Sequence, residues 1–547
     1  MKQWTFLFAC LLSLFCSAYA QDLEPTLDAW LTAKYPAEGP GAAALVARGG
    51  EVLYHKAFGM ANLELDVPMR TDMVFRIASI SKQFTAICIL MLAERGQLSL
   101  DDDLIEYLPD YPTEGQHISL RHLLTHTSGI SRSFTLNPWD ANIRRHDFSP
   151  KEFIDYFKIE PKSFAPGEYY QYNNFGYFLL GHIVELVSGM SYGDFVAQNI
   201  FEPLGMTNSY EAHDTDLVKN RAYGYEFYGT YENKTYVSPS QALGAGSLMS
   251  TVEDLHRWYR GLLSGKLVSQ ESLDLAFTNH IRNDGEKINY GFGWFINEIN
   301  GSPTVEHAGG DHGFRVDALY LPDEEVFVAV FSNCSCGEPR PLSTKIAALA
   351  IGKPYTEPTL VAAQAEEIGR WVGKYTFADG SSRRVTLKDD QLYWALPNGT
   401  ERAMGPLSNH QFVLENTFTH IDFRMENDSL IYVEVKNRIS LKTSTKPYTP
   451  RYEIGLPETD LTKFVGRYQL FPEFHITIAL DQGQLTAAGT GQDPLPIFPE
   501  SPTRFFFKAL DSHIDFLLDD MGDSVALEIT QDGATYPGTR AEQGDKE

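Results

Sequence analysis

The sequence predicts an α+β domain followed by two small all-β modules, and three observations predict it. Strand-like runs stand at both ends of the segment before residue 352 while helical patterns fill its middle. From residue 353 onward a set of short motifs repeats at one constant spacing. The chain also holds 547 residues with 43% hydrophobic and 13% aromatic content, enough for several packed cores.

Residues 1–20, MKQWTFLFACLLSLFCSAYA, carry one lysine, an apolar run too short for a membrane span, and the small-x-small pattern Ala18-Tyr19-Ala20. They read as a secretory signal peptide cut before Gln21, which places the mature protein in the periplasm or outside the cell with no later membrane span. Cleavage leaves Cys88, Cys334 and Cys336, an odd number that cannot form a full disulfide framework. Cys88 sits on an apolar helical pattern and reads as core. Cys334 and Cys336 read as two small residues at a strand end, with a short bridge as the other reading.

The domain at 21–352 opens on GAAALVARGGEVLYHKAFG, two strand-like runs around Gly49-Gly50 and hence a hairpin. Ile80, Phe84, Ile87, Cys88 and Met91 form a helical stripe that stops at Gly96. A second hairpin is expected in FRVDALYLPDEEVFVAVFSN around Pro322-Asp323, with a helix in PLSTKIAALAI after it. A sheet that brings these two hairpins together would join both ends of the domain.

The repeat follows. KPYT at Lys353 returns at Lys446, VGKY at Val372 as VGRY at Val465, QL at Gln391 at Gln484, and HIDF at His420 at His513, each 93 residues later. This is a tandem duplication of modules 353–445 and 446–538, with a tail at 539–547. Alternating runs such as RRVTLKDDQLYWAL and FHITIALDQGQLTA make each copy a small antiparallel barrel or sandwich.

A formal net charge of −27, spread along the chain, repels phosphate backbones and excludes nucleic acid as a partner. Candidate chemistry lies at three points. Ser79 and Lys82 share one face of a first helical turn, where a lysine with a pKa lowered by burial can take the serine proton. Tyr172 and Asn174 precede another helix; a phenol near an ammonium can shuttle a proton and an amide can hold a substrate carbonyl, or the pair is an aromatic packed under a helix with Asn174 as its cap. The same spacing recurs at Tyr231-Glu232-Asn233, so the pattern alone is weak. His307, Gly309 and Gly310 stand just before a strand, where glycine lets a backbone N–H approach a ligand, or they form a plain turn with a surface histidine.

Together, Ser79-x-x-Lys82, Tyr172-x-Asn174 and His307-Ala308-Gly309 resemble the serine β-lactamase and penicillin-binding-protein superfamily, in its class C-like branch of D-aminopeptidases, D-alanyl-D-alanine carboxypeptidases and esterases. HLLTHTSGI at His122, PLGMTNS at Pro203, GAGSLMSTVEDL at Gly244 and YGFGW at Tyr290 are similar to its recurring segments. The resemblance implies an antiparallel sheet flanked by helices, a helical lobe, and a site in the groove between them. The duplicated modules resemble the lipocalin-like β-barrels that follow the catalytic domain in some D-aminopeptidase-like members.

By position, the resemblance makes Ser79 the acylated nucleophile, Lys82 and Tyr172 the proton-transfer pair, Asn174 a substrate ligand, and the N–H groups of Ser79 and Gly310 the oxyanion hole. It implies hydrolysis of a small peptide, amide or ester with no metal or cofactor. His307 departs from the Lys-Thr-Gly of penicillin-recognising members, replacing a fixed cation with an imidazole expected to protonate only below pH ~6.5. That substitution argues against recognition of β-lactams and free carboxylates, unless Arg315, eight residues on, supplies the missing cation. His122 and His126 have the spacing of a zinc pair but lack the intervening glutamate, and the chain has neither a G-x-S-x-G elbow nor a P-loop. The rival class is a binding protein that kept the fold and lost turnover.

Overall fold

Ala42–Arg48 (β1) is apolar along nearly its whole length, as a strand covered on both faces must be. It pairs with Glu51–Phe58 (β2) through the Gly49-Gly50 turn, both glycines lying at positive φ. A computed structural model of the chain describes residues 23–541 except 132–140, 159–161, 364, 378–380, 396–400, 427–428, 445–452, 473, 493, 508–511, 520 and 532–533. The signal peptide assigned to residues 1–20 lies outside the described residues. Among these no helix is long and apolar enough to cross a membrane.

The nucleophile candidate stands at the entry to Ser81–Glu94 (α1), and Tyr172 just precedes Asn174–Ser188 (α2). The chain returns to the sheet with Phe295–Ile299 (β3), Ser302–Asp311 (β4), Phe314–Leu321 (β5) and Val326–Ser332 (β6), and closes with the helix Pro339–Ala350 (α3). The sheet order is β3-β4-β5-β6-β1-β2, all antiparallel, with Ala44 opposite Val330 and His307 opposite Ala318. Both ends of the domain therefore meet at the β1–β6 pair.

Alternation divides the strands between two cores. Ala43, Leu45, Ala329 and Phe331 face α1 and the helical lobe, while Ala44, Val46, Val328 and Val330 face α3 and the helix at 23–34. The helix stripe expected from Ile80, Phe84 and Ile87 understates α1, for residues 81–92 are all buried. A helix enclosed on every side lies between the sheet and the helical lobe rather than on a surface.

The C-terminal third of the chain forms its own compact unit from Glu357. Among the described residues its first eight strands, Gly373–Thr376 to Ser440–Thr443, pair in sequence order, and Phe377 bridges Ser444 where the last would meet the first. The next eight, Gly466–Phe471 to Ala534–Arg540, form a closed barrel. Core positions recur at the spacing of the repeat: Tyr375 and Tyr468, Leu392 and Leu485, Phe423 and Phe516. So do tethers. Tyr375 donates its hydroxyl proton to the Trp371 carbonyl at 2.8 Å, and Tyr468 does the same to Phe464 at 2.8 Å. Gln391 donates to the carbonyls of Leu392 and Met404, and Gln484 to those of Leu485 and Ile497, which accounts for the repeated QL.

The expectation of unbridged cysteines is overturned: Cys334 and Cys336, beyond the end of β6, are joined as a disulfide. Their α-carbons stand 5.0 Å apart, within the span a disulfide bridges, which residue spacing alone does not reveal. Cys88 is buried and free.

Candidate active site

Ser79 sits in a single 3₁₀ turn, Ala78–Ile80, that leads straight into α1. Ala78 adopts φ +45, a left-handed conformation unusual for a residue with a Cβ, and it turns the next side chain to the mouth of the helix. One turn on, Lys82 is fully buried. Its Nζ lies 3.2 Å from Ser79 Oγ, and it donates to Asn174 Oδ1 at 2.8 Å and to the Ala245 carbonyl at 2.7 Å. Burial holds this amine well below the usual lysine range, and its three hydrogen-bonding neighbours are all uncharged. A neutral amine has two N–H donors and one lone pair. In that neutral form the two carbonyl oxygens would take the donors and leave the lone pair for the serine proton.

Close approach of backbones brings Ala245 there. A Cβ on Gly181 of α2 would stand 3.0 Å from Gly244 Cα, so only a glycine pair lets the 244–246 segment lie against the helix. Asn174 is the first residue of α2, and the cap is Asn173, whose Oδ1 accepts from the N–H groups of Phe175 and Gly176. Asn174 is thereby released to face Lys82.

Tyr172 lies with its ring 4.9 Å from Lys82 Nζ, and burial pushes its phenol up, so it stays protonated. Its hydroxyl is beside Ser79 without a hydrogen bond of good geometry, so that contact only weakly opposes the burial. The backbone on both sides of Tyr172 is held by one residue: the His126 carbonyl accepts from the Gln171 N–H at 2.9 Å, and His126 Nδ1 accepts from the Asn173 N–H at 3.1 Å. His126 is buried at φ +59 among the rings of Tyr172, Tyr177 and Tyr290. His122, its expected zinc partner by spacing, instead accepts from the Ser119 N–H in a helix cap.

His307 is buried on β4, not at the surface. Its Nδ1 donates to the Ala308 carbonyl at 2.7 Å and its Nε2 accepts from the Tyr290 hydroxyl at 3.2 Å. Burial, and after it the nearby Lys82 amine, lower its pKa to about 3. The expectation that His307 becomes a cation below pH ~6.5 is therefore overturned. Sequence spacing did not reveal that this strand end is roofed by tyrosines.

Ser79, Asn174 and Gly310 border one cavity of about 180 Å³. Gly309 does not border it, and its α-carbon packs on the turn that carries Ser79: a Cβ would stand 2.3 Å from the Ile77 carbonyl oxygen. Arg315 is not among the residues that border the cavity. Its guanidinium is tied to the carbonyls of Asp311 and Phe314 at 3.0 Å each. The cavity thus meets the Ser79 hydroxyl and the glycine-lined strand end, while behind Ser79 stand the buried Lys82 amine, its charge disfavoured by burial, and the protonated Tyr172 phenol. That is the equipment of acyl transfer.

The β-lactamase family model matches residues 31–352. The chain belongs to the β-lactamase family. Penicillin-binding protein 4* of Bacillus subtilis (strain 168) is 31% identical over 414 residues, 70% of this chain and 90% of that protein. An octameric penicillin-binding protein homologue from Pyrococcus abyssi matches with a TM-score of 0.57 at 26% identity, over 77% of this chain and 99% of its own. A D-stereospecific amidohydrolase from Streptomyces sp. matches with a TM-score of 0.51 at 26% identity, over 61% of this chain and 98% of its own.

Within this β-lactamase-family domain, sequence reasoning missed three contributors. The Ala245 carbonyl holds Lys82 from 163 residues away, His126 holds the Tyr172 backbone, and Arg76 and Asp311 border the cavity as a pair. Each had a faint signal. Ala245 and His126 stand in stretches noted only for their resemblance to the family, and Arg76 is three residues before Ser79.

Proposed function

We propose that the chain is an exported serine hydrolase that forms an acyl-enzyme on small amide or ester substrates, either as a peptidase of small or D-amino-acid peptides or as an esterase. The observation that carries this is Lys82: fully buried, bonded only to uncharged groups, and 3.2 Å from Ser79 Oγ. Family membership supports the reaction class, since its members are serine acyl-transferases and hydrolases. The names of the Bacillus penicillin-binding protein and the Streptomyces amidohydrolase support amides and peptides as the substrate class.

In the proposed reaction Ser79 Oγ attacks the substrate carbonyl carbon as its proton passes to the Lys82 lone pair. The oxyanion is received by the N–H groups of Ser79 and Gly310. The protonated Tyr172 phenol gives its proton to the leaving nitrogen or oxygen and regains one from the Lys82 ammonium, so the charge on Lys82 is brief. Water then attacks the acyl-serine with the same groups acting in reverse. Asn174 stands where a substrate amide reaches it while it holds Lys82.

Intact-protein mass spectrometry with a fluorophosphonate tests the reading. Wild type should gain one adduct and Ser79→Ala none; absence of an adduct on folded wild type overturns it. Penicillin in the same assay separates the alternatives, because a stable penicilloyl adduct favours β-lactamase or carboxypeptidase chemistry. Export predicts a secreted form that begins at Gln21.

A further inference from the structure

The first turn of α1 grips a distant stretch of chain. Ser81, Lys82 and Thr85 are all fully buried, and each side chain bonds the backbone of residues 244–248, brought from 159 to 167 residues away. Thr85 Oγ1 donates to the Gly244 carbonyl at 2.6 Å, Lys82 Nζ donates to the Ala245 carbonyl at 2.7 Å, and Ser81 Oγ accepts from the Leu248 N–H at 3.1 Å. A threonine inside a helix ordinarily bonds the carbonyl four residues back. For Thr85 that carbonyl belongs to Ser81 and stands at 3.3 Å, so the shorter bond leaves the helix. A hydroxyl has one proton to give, and Thr85 gives it to Gly244. The Tyr192 hydroxyl, 2.8 Å from Thr85 Oγ1 and carried by the short helix Tyr192–Val196, is then the donor of that second bond. Burial holds the phenol well above its ordinary range, so the proton is there to donate. A directed chain of hydrogen bonds thus runs from Tyr192 through Thr85 to Gly244 and ends one residue before the carbonyl on Lys82. Gly244 sits at φ +62 and has no side chain that could anchor its own peptide. The anchor comes from α1.

We infer that Thr85, backed by Tyr192, is a positioning residue for Lys82: it fixes the Gly244–Ala245 peptide, and with it the carbonyl that aims the amine at Ser79 Oγ. Neither Thr85 nor Tyr192 borders the cavity, so both act through the Ala245 carbonyl and not on substrate. The inference rests on the acyl-enzyme reading and assigns what sets the geometry of its base. Small errors there are magnified, because a displacement of about 1 Å in a reacting group lowers a rate by as much as about a hundredfold.

Inactivation of the full chain by a fluorophosphonate, resolved into kinact and KI, tests the inference. Thr85→Val keeps the side-chain shape and removes the hydroxyl; kinact should fall about ten- to a hundredfold with KI changed less than about threefold. Thr85→Ser keeps the donor and should return most of the rate. Tyr192→Phe should lower kinact severalfold in the same direction, and it carries the test if Thr85→Val fails to fold. A cycle with Lys82→Met separates positioning from packing. Once the amine is gone, removing either hydroxyl should slow the residual labelling, followed over hours, by no more than about twofold, whereas a wall that only loosens the cavity would slow both backgrounds alike. Equal losses in the two backgrounds, an unchanged kinact in Thr85→Val and Tyr192→Phe, or no rescue by serine overturns the inference. Wild type that labels, with Lys82→Met about a thousandfold slower, leaves the acyl-enzyme reading standing whatever Thr85 does. Wild type that does not label, or Lys82→Met that labels as fast, refutes that reading and the inference with it.

Discussion

Gly309→Ala should disable acylation through a single methyl group. The added Cβ would stand 2.3 Å from the Ile77 carbonyl oxygen and 2.6 Å from Val316 Cγ2. Ordinary contact begins at about 3.4 Å, so β4 must retreat from the Ser79 turn by about 1 Å. An oxyanion donor works within roughly 2.7–3.1 Å, and such a retreat carries the Gly310 N–H out of that window. Loss of one donor lowers kcat by about 10² to 10³, and overpacking destabilises by about 1–3 kcal/mol. Gly310→Ala is the internal control, because its Cβ meets only the flexible end of Arg315 at 3.2 Å. Stopped-flow acylation by a chromogenic thioester, with thermal melts of both variants, checks the claim. If Gly309→Ala acylated within threefold of wild type while melting lower, the strand would be yielding elsewhere and the oxyanion argument would fail.

Lys82→Met should lower kcat/KM by about a thousandfold or more yet raise the melting temperature at pH 7. The folded amine titrates below its unfolded value, so the unfolded chain binds more protons between the two and stability rises with pH; the gain from methionine should shrink toward pH 10 in melts run across that range. For His307, with a folded pKa of about 3 against an unfolded value near 6.5, stability should fall as pH drops through that interval, by up to about 1.4 kcal/mol per pH unit, and His307→Asn should flatten the slope in denaturant titrations. His126→Leu should lower kcat at least tenfold with KM changed less than threefold, and His126→Asn should recover most of it, since asparagine accepts φ +59 and offers an oxygen to the Asn173 N–H; equal loss in both variants would reduce His126 to a packing role.

The parts of this molecule legible in the sequence are those written locally. Two hairpins, the helix after Ser79 and the 93-residue repeat depend on patterns within a few residues or on a copy of them. Ser79 and Lys82 meet because three residues make most of a helical turn. What was not legible depends on chain brought from afar. Arg76 meets Asp311 across 235 residues, Lys82 meets Asn174 across 92, and no local periodicity announces either. The burial of His307 likewise depends on Tyr290 and the aromatic cluster behind it, so a charge argument built on an exposed imidazole had the right residue in the wrong solvent.

Two eight-stranded modules in tandem, alike in strand order and in their tyrosine and glutamine tethers, could in principle trade strands, since the strands of one copy have counterparts about 93 residues away. What keeps each chain segment with its own barrel is the size of the residues it carries inward. Trp394 of the first copy corresponds to Ala487 of the second, and Trp371 to Phe464. A strand placed in the wrong copy would either press an indole into room made for a methyl group or leave a void where the indole belonged, each a penalty of a few kcal/mol. The divergence of the two cores therefore acts as an address, so that closely related neighbours on one polypeptide fold separately. Exchanging those volumes, as in Ala487→Trp paired with Trp394→Ala, should make each strand fit the other copy and so raise the yield of strands seated in the wrong copy during refolding.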